Sequence, residues 1–378
     1  MNGRRKIAFF VAESWYFLSH RLPIAKACVA LGWDVVVITR VQGEGDIAID
    51  GIRVVPIQLR RSSRNPFREL LSLLEIYRVV RREKPDILHS VGLKSVLYGA
   101  TVSLLVGVPH TVSALAGMGY IFMSGRLRIR LIRKVIVMWL RRVLRRRSAW
   151  LILQNDDDVA LLSKGGVAYP EQIALIRGSG VDLDHFRPSP EPPGPVIFAL
   201  VSRMLADKGV RELVWAAREL IRRGDPIRVW LVGAPDPDNP TSLTDRDLRA
   251  WHEEGVVEWL GPQDDIRAIW EQAHVCVLPS YREGLPKALL EAAACGRPMI
   301  TTNVPGCREV VRDGVEGLLV PPNDWGGLIQ AMAKLAQSPE LRADMGAAAR
   351  RHVEDMFSIG KTVDLTLDLY QTMLASDP

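Results

Sequence analysis

Residues 7–39, IAFFVAESWYFLSHRLPIAKACVALGWDVVVIT, contain the pattern that decides the fold. Two short apolar runs, Ile7–Ala12 and Asp34–Thr39, flank a helical stretch at Leu22–Leu31 that ends at Gly32. Apolar runs of this length predict buried strands, and a glycine directly after a helical pattern predicts the end of the helix. The segment therefore predicts a β-α-β unit with two parallel strands.

The same alternation continues along the chain. Further strands are predicted in the first half at Arg53–Ile57, Ile87–Ser90, His110–Ser113 and Trp150–Gln154. The segment Pro188–Pro195 has too many prolines to continue a helix or a sheet, so it predicts a linker. The pattern then resumes with strands at Val196–Val201, Arg228–Val232, Val256–Leu260, Val275–Leu278, Met299–Thr302 and Gly317–Val320.

Strands alternating with helices predict an α/β fold with doubly wound parallel sheets. The chain has 378 residues, which exceeds the size at which one hydrophobic core stops growing. We expect two Rossmann-like domains facing a cleft, residues 1–187 and residues 196–378, with the last helix free to pack back on the first domain. The ligand site is expected at the carboxyl ends of the strands, between the domains.

Composition excludes several classes of protein. Hydrophobic residues make up 48% of the chain and charged residues 24%, values that exclude disordered and collagen-like chains. The four cysteines, Cys28, Cys276, Cys295 and Cys307, lack the paired spacing of zinc sites or small disulfide frameworks, so we expect a reducing compartment. The first apolar run is too short for a signal peptide, and no stretch within the basic residues 126–147 approaches the roughly 18 uncharged residues of a membrane span, so neither feature is expected.

Charge is divided unequally along the chain. Residues 1–188 hold 29 Lys and Arg against 15 Asp and Glu, whereas the remaining residues hold 20 against 28. The basic first half and the acidic second half are therefore expected to face different partners.

The most basic segment is residues 125–147, GRLRIRLIRKVIVMWLRRVLRRR, with ten basic residues and no acidic one. A helix of this composition places apolar side chains in the lipid headgroup boundary while its arginines meet anionic lipid. Nucleic-acid binding is an alternative without a recognition motif, and a third is that Val135–Leu140 is core and the arginines are solvated. We favour membrane contact through Arg126, Arg128, Arg130, Arg133, Lys134, Trp139, Arg141, Arg142, Arg145, Arg146 and Arg147.

A second constellation lies in the segment 283–298, EGLPKALLEAAACGRP. It follows a predicted strand and opens a helix at about Pro286–Cys295, whose first backbone amides offer a site for an anion or a sugar hydroxyl. Glu291 lies eight residues after Glu283, too far along to share its turn. One carboxylate is therefore expected to serve the loop and the other the helix face.

Two cations, Arg203 and Lys208, lie five residues apart after the first strand of the second domain. On a strand-to-helix loop, such a pair can neutralise a diphosphate without a metal. Each of these four charged residues, taken alone, is more typical of a solvated surface. Together and in this order they indicate a site.

These segments resemble those of the family 4 retaining glycosyltransferases, which have the two-domain GT-B fold, and the resemblance spans nearly the whole chain. It implies that Arg203 and Lys208 bind the donor diphosphate, that Glu283 contacts the donor sugar and that Glu291 binds the nucleotide ribose. No metal or other cofactor is expected, and the nucleotide sugar is a substrate. Further donor contacts are implied for the loop after the first glutamate, Gly284, Leu285, Pro286 and Lys287, where Lys287 either adds a charge or faces solvent.

The first half resembles, more narrowly, bacterial transferases that extend glycans on undecaprenyl diphosphate. The matching segments are Phe17–Pro23, Gly117–Phe122, Gln154–Asp158 and Gly178–Asp182. They make Ser19, His20, Arg21, Gly119 and Tyr120 the candidate acceptor-binding residues. For His20 and Arg21, a role on the acceptor diphosphate and a capping or packing role both remain open.

Two further features stay outside the predicted site. Many relatives carry a His-x-His pair where this chain has His89 and Val91, so no catalytic histidine is assigned. The run Asp156–Asp158 is compatible with a metal site, but its place after a strand favours a helix start, and no metal is assigned.

The expected enzyme is a retaining hexosyltransferase. It moves a hexose or an N-acetylhexosamine from a UDP-linked sugar to a polyprenyl-diphosphate-linked saccharide, in bacterial surface polysaccharide or glycan assembly. Its expected place is the cytoplasmic face of the inner membrane as a peripheral protein, with an anionic membrane surface as a partner and no nucleic acid. A sugar-nucleotide epimerase of the same fold and an inert membrane-binding scaffold are the alternatives.

Overall fold

The computed structural model describes residues 4–41, 48–59, 65–115 and 127–375, with the side chains at 127–129 and 131–132 excepted. The chain divides into two compact units. The first contains Met1–Ser179 and Thr362–Pro378, and the second contains Gly180–Lys361.

The first unit is built on a parallel sheet of seven strands in the order β3-β2-β1-β4-β5-β6-β7. The central strands are apolar on both faces, as parallel strands covered by helices on both sides must be. The predicted strands are confirmed within one or two residues, and one short strand, β7, was not predicted. The strands are β1 Lys6–Glu13, β2 Asp34–Arg40, β3 Ile52–Pro56, β4 Ile87–Val91, β5 His110–Ala114, β6 Ala149–Leu153 and β7 Ile173–Leu175.

Helices cover both faces of this sheet. Ala8 and Phe10 of β1 pack in a core with α3 and α4, and α5 packs in the neighbouring core on α4 and α6. Phe9 and Val11 point to the opposite face, where they meet α2 and α14. The helices are α1 Ser14–His20, α2 Leu22–Ala30, α3 Pro66–Glu83, α4 Leu93–Val106, α5 Leu127–Leu144, α6 Asp156–Lys164 and, near the end of the chain, α14 Ile359–Ala375.

The second unit repeats the architecture with six parallel strands in the order β10-β9-β8-β11-β12-β13. The strands are β8 Val196–Val201, β9 Ile227–Val232, β10 Glu258–Gly261, β11 Val275–Leu278, β12 Met299–Thr302 and β13 Gly317–Val320. The helices are α7 Val210–Arg223, α8 Asp245–Glu253, α9 Ile266–Gln272, α10 Lys287–Ala294, α11 Cys307–Val310, α12 Trp325–Gln337 and α13 Pro339–Met356.

The strand order places a switch point in each sheet. In the second unit, β8 lies between β9 and β11, so the chain leaves β8 towards one side and leaves β11 towards the other. The loops that follow these two strands therefore diverge and leave a crevice at the carboxyl edge, which is the usual ligand position in open α/β sheets. In the first unit, β1 takes the same place between β2 and β4.

The unit boundary differs from the predicted linker. Val181 and Phe186 are buried in a core of the second unit. Arg297 donates to Ser189 Oγ at 2.6 Å, and Arg342 forms an ion pair with Glu191 at 2.5 Å. The proline-rich segment therefore belongs to the surface of the second unit, because proline excludes regular structure without deciding which core the segment joins.

The position of the last helix also differs from the predicted division, in which residues 196–378 form one continuous second domain. Leu369, Tyr370 and Met373 of α14 are buried in a core of the first unit, beneath the sheet face that carries Phe9. The chain therefore returns to its first unit at the end, as the sequence interpretation allowed.

Candidate functional site

The loop that carries Arg203 and Lys208 follows β8 and is held by the loop that follows β9. The Met204 N–H donates to the Ala234 carbonyl at 2.9 Å, and the Leu243 N–H donates back to the Met204 carbonyl at the same distance. With a third bond, from the Ala206 N–H to the Thr241 carbonyl at 2.8 Å, they hold the backbone between the two cations. Both cations therefore extend from a fixed backbone at the switch point of the second sheet.

Gly209 lets this loop approach the loop after β11. Its φ is 73°, and a Cβ at this position would lie 2.2 Å from the Pro279 carbonyl oxygen. The Tyr281 N–H also donates to the Asp207 carbonyl at 2.9 Å, which joins the two loops next to Lys208. Only a glycine fits here without moving the backbone.

Lys208 and Glu283 meet as a result. The Lys208 Nζ atom lies 2.5 Å from Glu283 Oε1, and the Ser280 hydroxyl donates to the same oxygen at 2.7 Å. Both charged side chains are largely buried, which strengthens their attraction relative to a surface pair. The predicted loop carboxylate is thus positioned by a cation and a hydroxyl.

Two residues at and after the end of β12 also contact this loop. The Thr302 hydroxyl at the end of β12 donates to the Ser280 carbonyl. Gly306 has a φ of 82°, and a Cβ there would lie 2.4 Å from the Gly284 carbonyl oxygen. The segment Glu283–Gly284 is therefore packed against the β12–α11 connection.

Glu291 lies on α10, which begins one residue after Pro286 and ends before Cys295. This confirms that one carboxylate belongs to the loop and the other to the helix. Lys287 Nζ lies 3.4 Å from Glu291 Oε1, so Lys287 pairs with Glu291 one turn along. Burial raises the pKa of the Glu291 carboxyl, and Lys287 opposes that shift.

Arg203 has a partner that sequence reasoning missed. Its Nη1 atom lies 2.5 Å from Oδ2 of Asp236, in the loop after β9. The Asp236 N–H donates to the Ser242 hydroxyl at 2.9 Å, which fixes the position of the carboxylate. A polar residue directly after a strand of a parallel sheet was the available signal, since that edge holds the loops after β8 and β11 as well.

The predicted acceptor residues of the first unit have unlike environments. Ser19 is exposed, the His20 ring stacks on Tyr16 with centroids 4.0 Å apart, and Arg21 is buried. Arg21 Nη1 donates to the His20 carbonyl at 3.1 Å, whereas Arg21 Nε has no hydrogen-bond partner in the described part of the chain. Gly119 and Tyr120 lie outside the described residues.

His89 is buried in β4, and its Nδ1 atom lies 2.5 Å from the Tyr370 hydroxyl of α14. Burial, with a smaller effect from Arg21, holds the pKa of His89 well below its usual value, so the ring is neutral at pH 7. Tyr370 is a second residue that sequence reasoning missed, because it lies 281 positions away. The contact ties the last helix to the sheet.

Asp156–Asp158 form the start of α6, as predicted. The Asn155 side chain caps the helix by accepting from the Asp158 N–H at 2.8 Å. Three carboxylates in the first turn also interact favourably with the helix dipole.

The basic segment forms α5, whose described side chains divide into two faces. Leu140, Val143 and Leu144 are buried, whereas Val135 and Met138 are exposed to solvent. The interpretation of Val135–Leu140 as simple core is therefore wrong for part of the run. Among the helices of the described ranges, none is long and apolar enough to cross a membrane.

The cations of α5 lie mainly on its outer face. Arg141 Nε donates to the Gly165 carbonyl at 3.0 Å, and the Arg145 guanidinium lies 5.9 Å from the centre of the Tyr169 ring. Arg126 lies outside the described residues, as does the side chain of Arg128. The exposed members are Arg130, Lys134, Trp139, Arg141, Arg142, Arg145 and Arg147, and the half-buried ones are Arg133 and Arg146.

An open pocket of about 440 Å³ lies along this face. It is lined by Met138 and four arginines, Arg141, Arg142, Arg145 and Arg146. Its lining fits an anionic group with an apolar attachment.

Two parallel Rossmann-like sheets of seven and six strands, each with its own switch point, define the GT-B class of fold. Comparison with known protein families supports this class of fold in both halves of the chain. Residues 6–154 match the family described as Glycosyl transferase 4-like, and residues 195–338 match the family described as Glycosyl transferases group 1. The chain belongs to the GT-B glycosyltransferases of these families.

Three curated relatives are similar in sequence. The chain is 26% identical over 359 residues to the N,N'-diacetylbacillosaminyl-diphospho-undecaprenol alpha-1,3-N-acetylgalactosaminyltransferase of Campylobacter jejuni, covering 88% of this chain and 92% of the relative. It is 28% identical to the UDP-Gal:alpha-D-GlcNAc-diphosphoundecaprenol alpha-1,3-galactosyltransferase of Escherichia coli, with coverages of 82% and 81%. A D-inositol 3-phosphate glycosyltransferase of Saccharomonospora viridis is 31% identical over 60% of this chain, which spans only 56% of that relative.

Solved structures show the same fold. Sucrose-phosphate synthase from Thermosynechococcus elongatus has a TM-score of 0.81 at 22% identity, covering 99% of this chain and 100% of that one. Anabaena HepE, solved in complex with UDP and glucose, has a TM-score of 0.78 at 17% identity, with coverages of 97% and 100%. At these identities the likeness concerns the fold alone.

Proposed function

We propose that this glycosyltransferase moves a hexose or an N-acetylhexosamine from a UDP-linked sugar to a polyprenyl-diphosphate-linked saccharide, with retention of anomeric configuration. The observation that carries the donor half is the meeting of Lys208, Glu283 and Ser280 at the switch point of the second sheet. The acceptor half is supported by two relatives whose names specify diphospho-undecaprenol acceptors.

The donor diphosphate is bound by Arg203 and Lys208 in this proposal. When the bond between the anomeric carbon and the phosphate oxygen breaks, negative charge develops on the departing nucleoside diphosphate. Two cations held on a fixed backbone stabilise that charge without reorganising at the moment of reaction. No metal is needed for this step in the proposal.

The two carboxylates and the loop between them take the rest of the donor. Glu283 contacts the donor sugar, and Glu291 accepts from the ribose hydroxyls. The segment 284–287 lies at the start of α10, where backbone amides and the helix dipole favour a phosphate or a hydroxyl. The acceptor hydroxyl attacks the anomeric carbon from the leaving-group side, and its proton passes to the departing phosphate oxygen.

The acceptor and the membrane are assigned to the first unit. Arg21 is a buried cation whose Nε lacks a partner in the described residues, which fits an anionic group such as the acceptor diphosphate. The outward cations of α5 and its arginine-lined pocket fit anionic headgroups at a cytoplasmic membrane face.

Titration with UDP by calorimetry, with EDTA present, tests the donor site. We expect wild-type protein to bind UDP and the Lys208→Ala variant to bind it at least about tenfold more weakly, since a charge-assisted contact is lost. Equal affinity in a folded Lys208→Ala protein would refute the diphosphate assignment. If NMR shows that the protein converts a UDP-sugar to its epimer in the absence of any acceptor, the result favours the epimerase alternative.

A further inference from the structure

Helix α3 exposes an apolar stripe that the proposed donor and acceptor sites do not use. Phe67, Leu70, Leu71 and Leu74 are 78%, 55%, 65% and 40% exposed. Their spacing of three, one and three residues places all four on one face of the helix. The opposite face is also apolar, because Ile76 and Val80 are buried against the sheet. The first half of α3 is thus apolar on two sides, and only the inner side is covered within its unit.

The exposed charges of α3 around this stripe are of one sign. All the exposed charged side chains of α3 are arginines, namely Arg68, Arg78, Arg81 and Arg82. The two acidic residues near the stripe, Glu69 and Glu75, are half-buried and engaged. Glu69 forms an ion pair with Lys94 at 2.9 Å, and Glu75 accepts from the Gln58 N–H at 3.0 Å. An apolar stripe whose exposed charged neighbours on the helix are all arginines complements a lipid bilayer with an anionic surface.

The stripe shares a helical layer with α5. Lys94 and Tyr98 of α4 both bind Glu69 of α3, and the Trp139 Nε1 of α5 donates to Thr101 of α4 at 3.0 Å. Helices α3 and α5 therefore flank α4 on the same face of the first sheet. The outer face of α5 adds the exposed apolar side chains Val135 and Met138 and its own arginines.

We propose that Phe67, Leu70, Leu71 and Leu74 insert into the boundary between headgroups and acyl chains of an anionic bilayer. This inference rests on the proposed membrane-linked function and adds to it a second element, in which α3 supplies apolar burial and α5 supplies charge. A second copy of the chain fits this surface less well. A symmetric dimer through the stripe would bring the surrounding arginines of one protomer against those of its partner.

Sedimentation of the full chain with vesicles of phosphatidylcholine and phosphatidylglycerol tests the proposal at about 0.1 M and about 1 M salt. The double variant Phe67→Ser, Leu71→Ser should partition about tenfold more weakly at both salt concentrations, because apolar burial is not screened. The double variant Arg141→Gln, Arg142→Gln should lose binding at low salt and match wild type at high salt. The control is Ile221→Ser, which removes an exposed apolar side chain from α7 of the second unit and should bind as wild type does.

Wild-type partitioning by the Phe67→Ser, Leu71→Ser variant at both salt concentrations would overturn the inference. A second result would also overturn it. If light scattering without vesicles shows that wild type is a dimer and that this variant is a monomer, the partner of the stripe is a second copy of the chain. UDP affinity should be the same in the variant and in wild type. If the wild-type protein binds vesicles but transfers no sugar, that result counts against the proposed function and leaves the inference about the stripe intact.

Discussion

The guanidinium Nη1 of Arg203 lies 2.5 Å from Oδ2 of Asp236, and the Lys208 ammonium lies 2.5 Å from Glu283. Each of the two cations that we assign to the donor diphosphate is therefore matched with a carboxylate of its own unit. Arg203 is much more exposed than Asp236, so the arginine is the partner that can turn towards a ligand. In the proposed site the cations are therefore held in place before the donor arrives, and the donor must compete with a carboxylate for at least one of them.

Replacement of Asp236 by Asn should strengthen donor binding. The amide keeps the shape of the carboxylate but removes the charge that competes with the diphosphate for Arg203. Because one half of this pair is exposed, we expect only a roughly two- to fivefold lower dissociation constant for UDP, measured by calorimetry. Asp264→Asn, an exposed change in the turn after β10, is the control. Weaker binding by Asp236→Asn would mean that Asp236 instead positions Arg203 for the donor.

Replacement of Lys208 by Ala should lower kcat strongly. The variant loses a cation that stabilises the leaving diphosphate and leaves the Glu283 carboxylate without its ion-pair partner. Loss of one such electrostatic contact lowers kcat by about 100-fold or more. Lys334→Ala, an exposed lysine on α12, should retain full activity. Near-wild-type turnover by Lys208→Ala with an unchanged circular dichroism spectrum would remove Lys208 from the mechanism.

If Glu291 binds the donor as proposed, its pairing with Lys287 should make donor binding depend on pH. Burial raises the pKa of Glu291 and Lys287 lowers it, so Lys287→Ala should raise that pKa further. In the proposed site the ionised carboxylate accepts from the ribose hydroxyls, and this form is lost as pH falls through the pKa. The rise of the donor KM on acidification should therefore begin at a higher pH in Lys287→Ala.

Glu291→Ala provides the check on that assignment. It should raise the donor KM at neutral pH and abolish the acidic rise, because no carboxyl is left to titrate. A donor KM that is unchanged in Glu291→Ala would contradict the ribose contact.

Gly209 and Gly224 bound helix α7 and offer a matched pair of substitutions. Both have positive φ, 73° and 89°, but a Cβ at Gly224 meets nothing within 4 Å, whereas one at Gly209 would lie 2.2 Å from the Pro279 carbonyl. Gly224→Ala should lower the free energy of unfolding by about 1 kcal/mol through backbone strain alone. Gly209→Ala should cost about 3 kcal/mol or more and should also weaken UDP binding, because the two loops must separate. Equal losses in urea unfolding would show that the close approach of the loops is unimportant.

Sequence patterns were enough to predict every strand of the described residues except the short β7. Parallel strands covered on both faces are continuous apolar runs, so β1 and β8 stand out against the polar loops. Sequence reasoning also singles out Arg203, Lys208 and Glu283 as candidates for the donor site, because they lie in loops that follow strands whose carboxyl ends meet at one edge. Position in the chain identifies such residues without any knowledge of their contacts.

The partners of those residues were not found. Asp236 and Tyr370 gain their importance from contacts with Arg203 and His89, and these contacts depend on how loops and the last helix pack. The stripe on α3 was missed for a related reason. Leu70 and Ile76 are both apolar residues in one helical pattern. Only the packing of the helix shows that Ile76 is buried and that Leu70 is exposed.

Sugar transfer itself tests the central claim most directly. The measurement is the movement of radiolabel from a panel of UDP-sugars to a polyprenyl-diphosphate-linked saccharide, with EDTA present throughout. The account predicts that label from one UDP-sugar appears in the lipid-linked product only when the acceptor is added, with the anomeric configuration of the donor. The account would be contradicted if the label stays in the nucleotide fraction with every donor and acceptor tested. A product of inverted anomeric configuration would also contradict it.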